Sequence, residues 1–385
     1  APAIRFKGFS DAWEQRKLSE MCGTFEYGLN AAAKEFDGQN KYIRITDIDD
    51  ASREFLLSDL SSPDISLDGM SKYLLSRGDI VFARTGASVG KTYIYKENDG
   101  VVYFAGFLIR AKVNQDNDAE FVFQSTLSPS YEKYIRITSQ RSGQPGVNAQ
   151  EYGEYDLFAP SKEEQQRIGR FLRGIDNLIT LHQRKFEKLT NVKKSMLEKM
   201  FPQNGSSYPE IRFKGFTDAW EQRKFGEITS KYEDPVPTPH DGYYRLGIRS
   251  HAKGTFHSYV AKGQELETAQ MHRVAAGNFI VNITFGWEHA VAITDENDAG
   301  KLVSHRFPQF SFAEGMIPEF FRYVIVDEKF RHHLWLASPG GAGRNRVLKL
   351  DEMLNYLMRF PSRDEQIKIA EFFRQLGHLI TLHQR

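Results

Sequence analysis

The apolar and polar positions of this chain predict two long helices of matching sequence. Residues 160–184 read "PSKEEQQRIGRFLRGIDNLITLHQR", and residues 361–385 read "PSRDEQIKIAEFFRQLGHLITLHQR". In the first copy Ser161 precedes Glu164 by the spacing of a helix-capping box, and the second copy repeats that spacing. Apolar residues then recur in alternating steps of three and four, as they do along one face of a helix. Each segment is therefore predicted to be a proline-led helix.

The apolar face of the first helix forms a narrow seam. At about 1.5 Å of rise per residue, a helix over residues 161–201 would extend about 60 Å. The seam is interrupted by His182 and Lys193. Its members are Ile168, Leu172, Ile175, Ile179, Phe186, Leu189, Met196 and Met200. A seam of this length needs a partner helix, and the second copy is the candidate. A single amphipathic surface helix is the alternative.

A second phrase is repeated ahead of each variable part of the sequence. Residues 4–18 read "IRFKGFSDAWEQRKL" and residues 211–225 read "IRFKGFTDAWEQRKF"; we call these segments the openers. The order of opener, variable block and proline-led helix thus occurs twice, which indicates a duplicated architecture and not a solenoid of short repeats. Repeated surfaces predict a repeated partner, and diverged blocks at equivalent positions predict two different ligands.

The variable blocks combine the alternation typical of short strands with helical segments. Strands are predicted at "KYIRITDI", "RGDIVFAR", "KTYIYK" and "GEYDLFAP", then at "YYRLGIRS", "GNFIVNIT" and "HAVAIT". Helices are predicted within "AEFVFQSTLSPSYEKYIRITS" and "PEFFRYVIVDEKFRHHLWLAS". The predicted fold class is mixed α/β (α+β). The predicted divisions are a first domain at 1–157, a central helix and linker at 158–204, a second domain at 205–358 and a distal helix at 359–385.

Composition and charge narrow the class of protein. A chain of 385 residues with 40% hydrophobic residues can form two domains that each bury a core. One cysteine, Cys22, excludes an internal disulfide and a cysteine-built zinc site. No apolar run approaches the roughly 20 residues that span a bilayer, so we expect a cytoplasmic protein without a membrane partner. The net charge is only +1, but residues 162–199 carry ten Lys/Arg against five Asp/Glu.

Three features resemble catalytic or ligand-binding motifs without matching them. "GASVGKT" at 86–92 has three residues between its glycines where a phosphate-binding loop needs four. Two variable blocks held at a fixed spacing by paired helices suit duplex DNA, whose antiparallel strands carry a twofold axis of their own. On that interpretation the loop is a strand-to-strand turn that approaches the DNA; alternatively it is a plain hairpin. "DPVP" at 234–237 lacks the second proline and the aromatic residue of an adenine methyltransferase motif, whose aromatic ring would stack on a flipped base. The histidines of the second block lack the close spacing of metal ligands. We therefore predict no catalytic residue and no metal site.

Direct readout of DNA pairs Arg or Lys with guanine and Asn or Gln with adenine, because their hydrogen-bonding groups match these base edges. Glycine-rich loops with such side chains precede the last strand of each block, at "SQRSGQPGVN" (139–148) and "SPGGAGRNR" (338–346). The candidate DNA-binding residues of the first block are Arg84, Thr85, Lys91, Arg141, Gln144 and Asn148. Those of the second block are Arg249, Asn282, Thr284, Arg344, Asn345 and Arg346. Trp13 and Trp220 of the openers are candidate anchors for a protein partner, or alternatively lock each opener to its own domain.

The full order of these segments resembles the specificity subunit of type I restriction–modification enzymes, and "KGFTDAWEQRK" makes the resemblance staphylococcal-like. The resemblance covers essentially the whole chain. It implies two globular target recognition domains separated by two long antiparallel coiled-coil helices, with a pseudo-twofold internal repeat. Each domain would read one half of a split, asymmetric site in double-stranded DNA, and the helices would set the spacing.

The same resemblance implies that the chemistry belongs to partner subunits. The helical repeats of this family dock two methyltransferase (M) subunits, and restriction (R) subunits complete the larger complex. This chain would bind no cofactor itself, since S-adenosylmethionine, and ATP with magnesium, would be bound by the partners. Two alternatives stay open from the residues: a two-headed adaptor that binds proteins, and a self-sufficient DNA adenine methyltransferase.

Overall fold

The computed structural model describes residues 2–140, 143–203, 205–266, 270–340 and 346–384. The chain divides into Ala1–His182, here called unit 1, and Gln183–Arg385, called unit 2. The division falls inside the central helix, so each unit contains one opener, one variable block and part of the helical sequence. None of the described helices is both long enough and apolar enough to cross a membrane.

Unit 1 follows the predicted order of strands and helices. Its strands are β1 (Glu14–Lys17), β2 (Cys22–Tyr27), β3 (Ala33–Glu35), β4 (Lys41–Ile43), β5 (Ser61–Pro63), β6 (Asp79–Ala83), β7 (Thr92–Ile94), β8 (Val102–Phe104), β9 (Leu108–Val113) and β10 (Asp156–Ala159). Its helices are α1 (Leu18–Met21), α2 (Ala119–Ser125), α3 (Pro129–Thr138), α4 (Ala149–Gly153) and the first part of α5 (Lys162–Lys199).

An antiparallel sheet in the order β2-β9-β6-β7 forms the centre of unit 1. Every residue of β6 is buried because both faces of this strand are covered. Side chains alternate across a strand, so Ile80 and Phe82 pack in the cluster that contains α2, α3 and α4 residues. Val81 and Ala83 pack on the opposite face, in the cluster that contains β4 and β8 residues. The predicted strand at "RGDIVFAR" is thus confirmed as the central strand.

Unit 2 contains the strands and helices predicted for its block, with further strands between them. Its strands are β11 (Glu221–Lys224), β12 (Thr229–Tyr232), β13 (Pro235–Pro237), β14 (Tyr243–Ile248), β15 (Thr255–Val260), β16 (Gln270–Arg273), β17 (Phe279–Val281), β18 (Val291–Ile293), β19 (Leu302–Val303), β20 (Gln309–Phe312) and β21 (Leu357–Phe360). Its helices are the second part of α5, α6 (Pro318–Val324), α7 (Glu328–Leu336), α8 (Leu350–Leu354) and α9 (Arg363–Gln384).

The two units share a framework that carries different inserts. The antiparallel sheet β12-β20-β17-β18 of unit 2 repeats the central sheet of unit 1. Outside this shared sheet, unit 1 forms the small pairs β3-β5 and β4-β8, whereas unit 2 builds a sheet in the order β13-β16-β19-β14-β15. The two units therefore differ in the number and pairing of the strands outside the shared sheet.

The repeated openers are explained by what they contact within their own units. β1 pairs antiparallel with β10, and β11 pairs antiparallel with β21. Arg5 donates from Nε and Nη2 to the two carboxylate oxygens of Glu164, at 2.8 and 2.7 Å. Arg212 donates in the same way to Glu365, at 2.8 Å for both bonds. Both carboxylates are buried and bind an arginine of the opener. Their spacing from the preceding serine predicts a capping box, in which each carboxylate would instead bind the helix backbone.

The predicted long helix is α5, whose 38 residues extend about 57 Å at about 1.5 Å per residue. Its seam is not continuous. Ile168 packs against the core of unit 1, but Ile175 and Ile179 are 38% and 50% exposed. The remaining members are half-buried or buried: Leu172, Phe186, Leu189, Met196 and Met200. The spacing predicts one seam along the whole helix, interrupted only at His182 and Lys193, whereas α5 divides its apolar contacts between the two units.

Within unit 2, the second part of α5 packs against α9. Leu189 and Met196 join the core cluster to which α9 contributes Phe373 and Leu376. A Cβ on Gly377 would lie 4.0 Å from Nζ of Lys193, and the rings of Phe201 and Phe373 are 6.2 Å apart. Because higher numbers on one helix meet lower numbers on the other, the two segments are antiparallel.

Candidate nucleic-acid interface

The "GASVGKT" stretch of unit 1 lies in a tight connection between β6 and β7, which we call turn 1 (residues 84–91). Gly86, with φ of +71°, begins a short 3₁₀ segment, and Gly90 has φ of +83°. Such angles favour glycine. A Cβ on Gly90 would also lie 2.6 Å from Cγ2 of Ile135 in α3. The two glycines therefore allow a closely packed turn at this place, in agreement with the predicted turn.

Two buried tyrosines fix the ends of turn 1. The hydroxyl of Tyr152 donates to the carbonyl of Ala83 at 2.6 Å and accepts from the amide of Gly90 at 3.1 Å. The hydroxyl of Tyr131 donates to the carbonyl of Gly90 at 3.1 Å. Burial raises the pKa of both phenols above their ordinary value, so both hydroxyls keep their protons. Turn 1 is thus held rigidly by α3 and α4.

A segment of the glycine-rich loop lies beside turn 1; we call it strap 1 (residues 144–147). The amide of Gly86 donates to the carbonyl of Pro145 at 3.0 Å, and the amide of Val147 donates to the carbonyl of Arg84 at 2.9 Å. Nε2 of Gln144 lies 3.0 Å from the position of a Cβ on Gly86. The structure therefore brings Arg84, Thr85 and Gln144 together. Arg141 falls outside the described residues.

Two other predicted DNA-binding residues of unit 1 are engaged in local contacts. Nζ of Lys91 forms an ion pair with Asp50 at 2.5 Å. The side-chain oxygen of Asn148 accepts from the amide of Glu151 at 2.9 Å and caps α4. Both side chains therefore hold the local fold, and the sequence pattern alone did not reveal these partners.

A groove of about 500 Å³ opens beside turn 1. We call it groove 1; its polar and aromatic lining is Tyr27, Asn30, Tyr42, Arg44, Thr46, Arg84 and Phe107. The guanidinium carbon of Arg84 lies 5.1 Å from the ring centre of Tyr27 and 5.9 Å from that of Phe107. No sequence pattern indicates these aromatic residues, because β2 and the turn before β9 are far from turn 1 along the chain.

Unit 2 has an equivalent connection between β17 and β18, called turn 2 (residues 282–290). The side-chain oxygen of Asn282 accepts from the amide of Thr284 at 3.1 Å and from its hydroxyl at 2.7 Å. The amide of Leu348 donates to the carbonyl of Ile283 at 2.9 Å, as Val147 does to Arg84. Both units therefore present a turn at the same place in the framework, and in each the turn accepts the same backbone hydrogen bond from a later residue. Arg344 and Asn345 fall outside the described residues.

The groove beside turn 2 has a volume of about 280 Å³ and a different lining. We call it groove 2; its polar and aromatic residues are Arg245, Phe256, Asn282, Thr284, Phe285, Ser304, Arg306 and Phe307. Gly247 allows the ring of Phe256 to lie close, because a Cβ there would be 2.3 Å from Cζ of that ring. Two predicted residues stack on aromatic rings: Arg249 lies 5.2 Å from Phe256, and Arg346 lies 4.8 Å from Trp335.

Alignment of the two frameworks could have revealed one residue that the sequence analysis missed. Ile80 pairs with Ala111 in unit 1, and the equivalent Phe279 pairs with Phe310 in unit 2. Phe107 lies four residues before Ala111, and Arg306 lies four residues before Phe310. Arg306 therefore occupies in unit 2 the position that Phe107 occupies in unit 1. An aromatic residue and an arginine thus occupy the same position in the two grooves.

The opener tryptophans pack inside their own units. Trp220 is buried, and its ring lies 5.7 Å from those of Phe201 and Phe320. Trp13 is half-buried, with its ring 5.9 Å from that of Phe121. The geometry of Trp220 corresponds to the second of its two predicted roles, in which tryptophan locks the opener to its domain.

The remaining motif candidates belong to ordinary structural elements. Residues Pro235–Pro237 of "DPVP" form β13, which pairs with β16. Within the described ranges, no three His, Cys, Asp or Glu side chains are grouped so that they could hold a metal ion. His257 lies 2.8 Å from a carboxylate oxygen of Asp298.

His289 should make unit 2 sensitive to mild acid. Its ring lies 2.7 Å from the carbonyl of Ile325, and burial lowers its pKa below the ordinary value near 6.5. Below about pH 6.5 the unfolded chain therefore takes up a proton before the folded chain does, so the stability of unit 2 should fall as pH decreases through this range. Asparagine adopts positive φ angles such as the +61° of residue 289. His289→Asn should therefore make the stability of unit 2 depend less on pH. Urea denaturation between pH 7.5 and 5.5 measures the difference; equal slopes would contradict it.

Comparisons with known proteins agree over most of the chain. Residues 10–191 match the family model described as type I restriction modification DNA specificity domain. The chain is 23% identical over 392 residues to a putative type I restriction enzyme MjaX specificity subunit of Methanocaldococcus jannaschii, covering 97% of this chain and 88% of that protein. It is 21% identical over 351 residues to the MjaVIII specificity subunit of the same organism, covering 87% and 80%. The crystal structure of a type I restriction–modification S subunit from M. genitalium matches with a TM-score of 0.58 at 10% identity, covering 98% and 93%.

Proposed function

We propose that this chain is the specificity subunit of a type I restriction–modification system, and that unit 1 and unit 2 each read one half of a split site in double-stranded DNA. The role of such a subunit is to supply DNA sequence specificity. It is not catalytic, because the chemistry lies in partner subunits.

The observation that carries the proposal is the pairing of one framework with two different grooves. Turn 1 with strap 1 and turn 2 with Leu348 occupy equivalent places, held by the same backbone hydrogen bond. The groove beside each turn combines arginines, exposed aromatic rings and polar side chains, but the individual residues differ. Arginine and amide side chains read base edges directly. Two dissimilar grooves on a duplicated framework therefore suit an asymmetric site with two different halves.

The repeated elements are the proposed attachment points for partners. We propose that two methyltransferase (M) subunits dock on the openers and on α5 and α9, and that restriction (R) subunits complete the larger complex. The antiparallel contact between α9 and the second part of α5 supports a role for these helices as the spacer between the half-sites. S-adenosylmethionine, and ATP with magnesium, would bind to the partners and not to this chain. The proposed compartment is the cytoplasm.

A selection experiment tests this function. The chain is co-purified with its methyltransferase, incubated with a random-sequence duplex library, and the bound or methylated duplexes are sequenced. The expected product is a motif in two parts separated by a constant gap. Enrichment of no motif would favour the two-headed protein adaptor, and methyl transfer by the isolated chain would favour a self-sufficient methyltransferase.

Gln144 gives a residue-level prediction for the same selection. Its amide lies exposed beside Gly86 at the tip of turn 1, and glutamine pairs with adenine through two hydrogen bonds. Gln144→Ala should therefore relax discrimination at one A·T pair by about 1–3 kcal/mol. Gln150→Ala, on the exposed surface of α4, is the matched control and should leave the motif unchanged. Equal weakening for every sequence would assign Gln144 to the DNA backbone.

A further inference from the structure

We propose that Arg84 reads a guanine in the half-site of unit 1. This inference rests on the proposed function and makes it specific, since it assigns one base to one side chain. It follows from the backbone contacts, the aromatic neighbours and the charge environment of Arg84, which differ from those of Arg44 in groove 1 and of Lys91 at the end of turn 1.

The position of Arg84 is fixed from both sides of its backbone. Its amide donates to the carbonyl of Phe107 at 3.0 Å, and its carbonyl accepts from the amide of Val147 at 2.9 Å. Its guanidinium lies between the rings of Tyr27 and Phe107, at 5.1 and 5.9 Å from their centres. A guanidinium held between two rings loses little conformational freedom when it binds a base, because it is already oriented.

The charge of Arg84 is available, whereas that of its neighbours is neutralised. Arg44, the other arginine of groove 1, donates twice to Asp47, at 2.9 Å for both bonds. Lys91 at the end of turn 1 is paired with Asp50. Among the described residues, Arg84 has no carboxylate partner, and its buried Nε has no hydrogen-bond acceptor. Within the described part of the chain, no carboxylate therefore neutralises the positive charge of Arg84.

Guanine is the base that this arrangement fits. Its major-groove edge presents two adjacent acceptors, O6 and N7, which match the fork of a guanidinium. A phosphate would also attract the positive charge of Arg84, but the two flanking rings would add nothing to phosphate binding. Tyr27 and Phe107 are 45% and 57% exposed, so both rings can contact neighbouring base edges, such as the methyl group of a thymine, while Arg84 reaches the guanine.

The test uses the chain in complex with its methyltransferase and the random duplex library, with Arg84→Ala, Arg84→Lys and the unaltered protein compared. Arg84→Ala should lower discrimination at one G·C pair of one half-site by about 5- to 150-fold, while the other half-site stays unchanged. Arg84→Lys keeps the charge but loses the planar fork, so it should lose part of the same discrimination. Arg77→Ala, an exposed arginine of unit 1 outside groove 1, controls for the loss of one positive charge.

The outcomes separate this inference from the proposed function. If the unaltered complex selects no split motif, the proposed function itself is wrong. If it selects a split motif but Arg84→Ala weakens all sequences equally, or Arg84→Lys behaves as the unaltered protein, Arg84 binds phosphate and the inference fails. Loss of preference at a position other than guanine would also overturn it. Thermal melting of each variant verifies folding, and Arg84→Lys keeps the test valid if Arg84→Ala is unstable.

Discussion

Replacing Arg212 by alanine should destabilise unit 2 by about 3 kcal/mol, the lower end of what is lost when one partner of a buried ion pair is removed. The carboxylate of Glu365 is 1% exposed and receives two hydrogen bonds from Arg212. Without that partner a charge would stay buried and unpaired. The side chain of Arg212 is 14% exposed, so the pair is not fully buried. We therefore expect a loss of stability at the lower end of that range. Urea denaturation, with hydrogen exchange of unit 2 peptides as the readout, measures the loss.

Arg223→Ala is the matched control for this change. Arg223 also pairs with a glutamate, Glu221, at 2.9 Å, but both side chains are at least half exposed. Exposed pairs contribute at most about 1 kcal/mol, so this variant should remain close to the unaltered protein. Arg5→Ala, which breaks the equivalent pair with Glu164, should destabilise unit 1 by a similar amount as Arg212→Ala destabilises unit 2. Equal losses for Arg212→Ala and Arg223→Ala would contradict the role assigned to burial.

Replacing Leu376 by alanine should also destabilise unit 2 by about 3 kcal/mol, because a large-to-small change in a packed core leaves a cavity. Leu376 is 7% exposed and lies in the core cluster shared by α9 and the second part of α5. The loss should appear in hydrogen exchange of both helical segments, since each forms one side of the same cluster.

Leu379→Ala provides a control on the same helix with the same chemical change. Leu379 lies one turn further along α9 and is 44% exposed, so its removal should cost less than about 1 kcal/mol. A loss at Leu379 as large as that at Leu376 would show that the two leucines are equally buried in solution, contrary to the packing described for α9.

The duplicated architecture could be predicted from sequence because it depends on local patterns. A short stretch of sequence is enough to recognise each opener, each proline-led helix and the strand at "RGDIVFAR". The order of these elements alone indicates two halves. The seam prediction failed at Ile175 and Ile179 because spacing shows which residues share a helix face but not how far a partner extends along it. Glu164 suited a capping box by spacing, yet Arg5, distant in sequence, takes both of its oxygens.

The candidate interface was predictable only in part. Arg84, Thr85 and Gln144 were selected by residue type and loop composition, and the structure brings them together at turn 1. Tyr27 and Phe107, which orient Arg84, come from separate strands and turns, so no window of sequence contains the site. Lys91 satisfied the same sequence criteria but pairs with Asp50, a contact set by tertiary packing.

The ion pair between each opener and its own helix bears on how new specificities arise. Each unit closes on itself through an arginine and a glutamate that it supplies, so a block can be exchanged without rebuilding the ends that hold it. The near-identical openers also place the same residues at the start of both blocks, so the borders of an exchangeable block are alike in the two units. Cassette exchange between these borders could replace one reading surface in a single genetic event and leave the other half of the target unchanged.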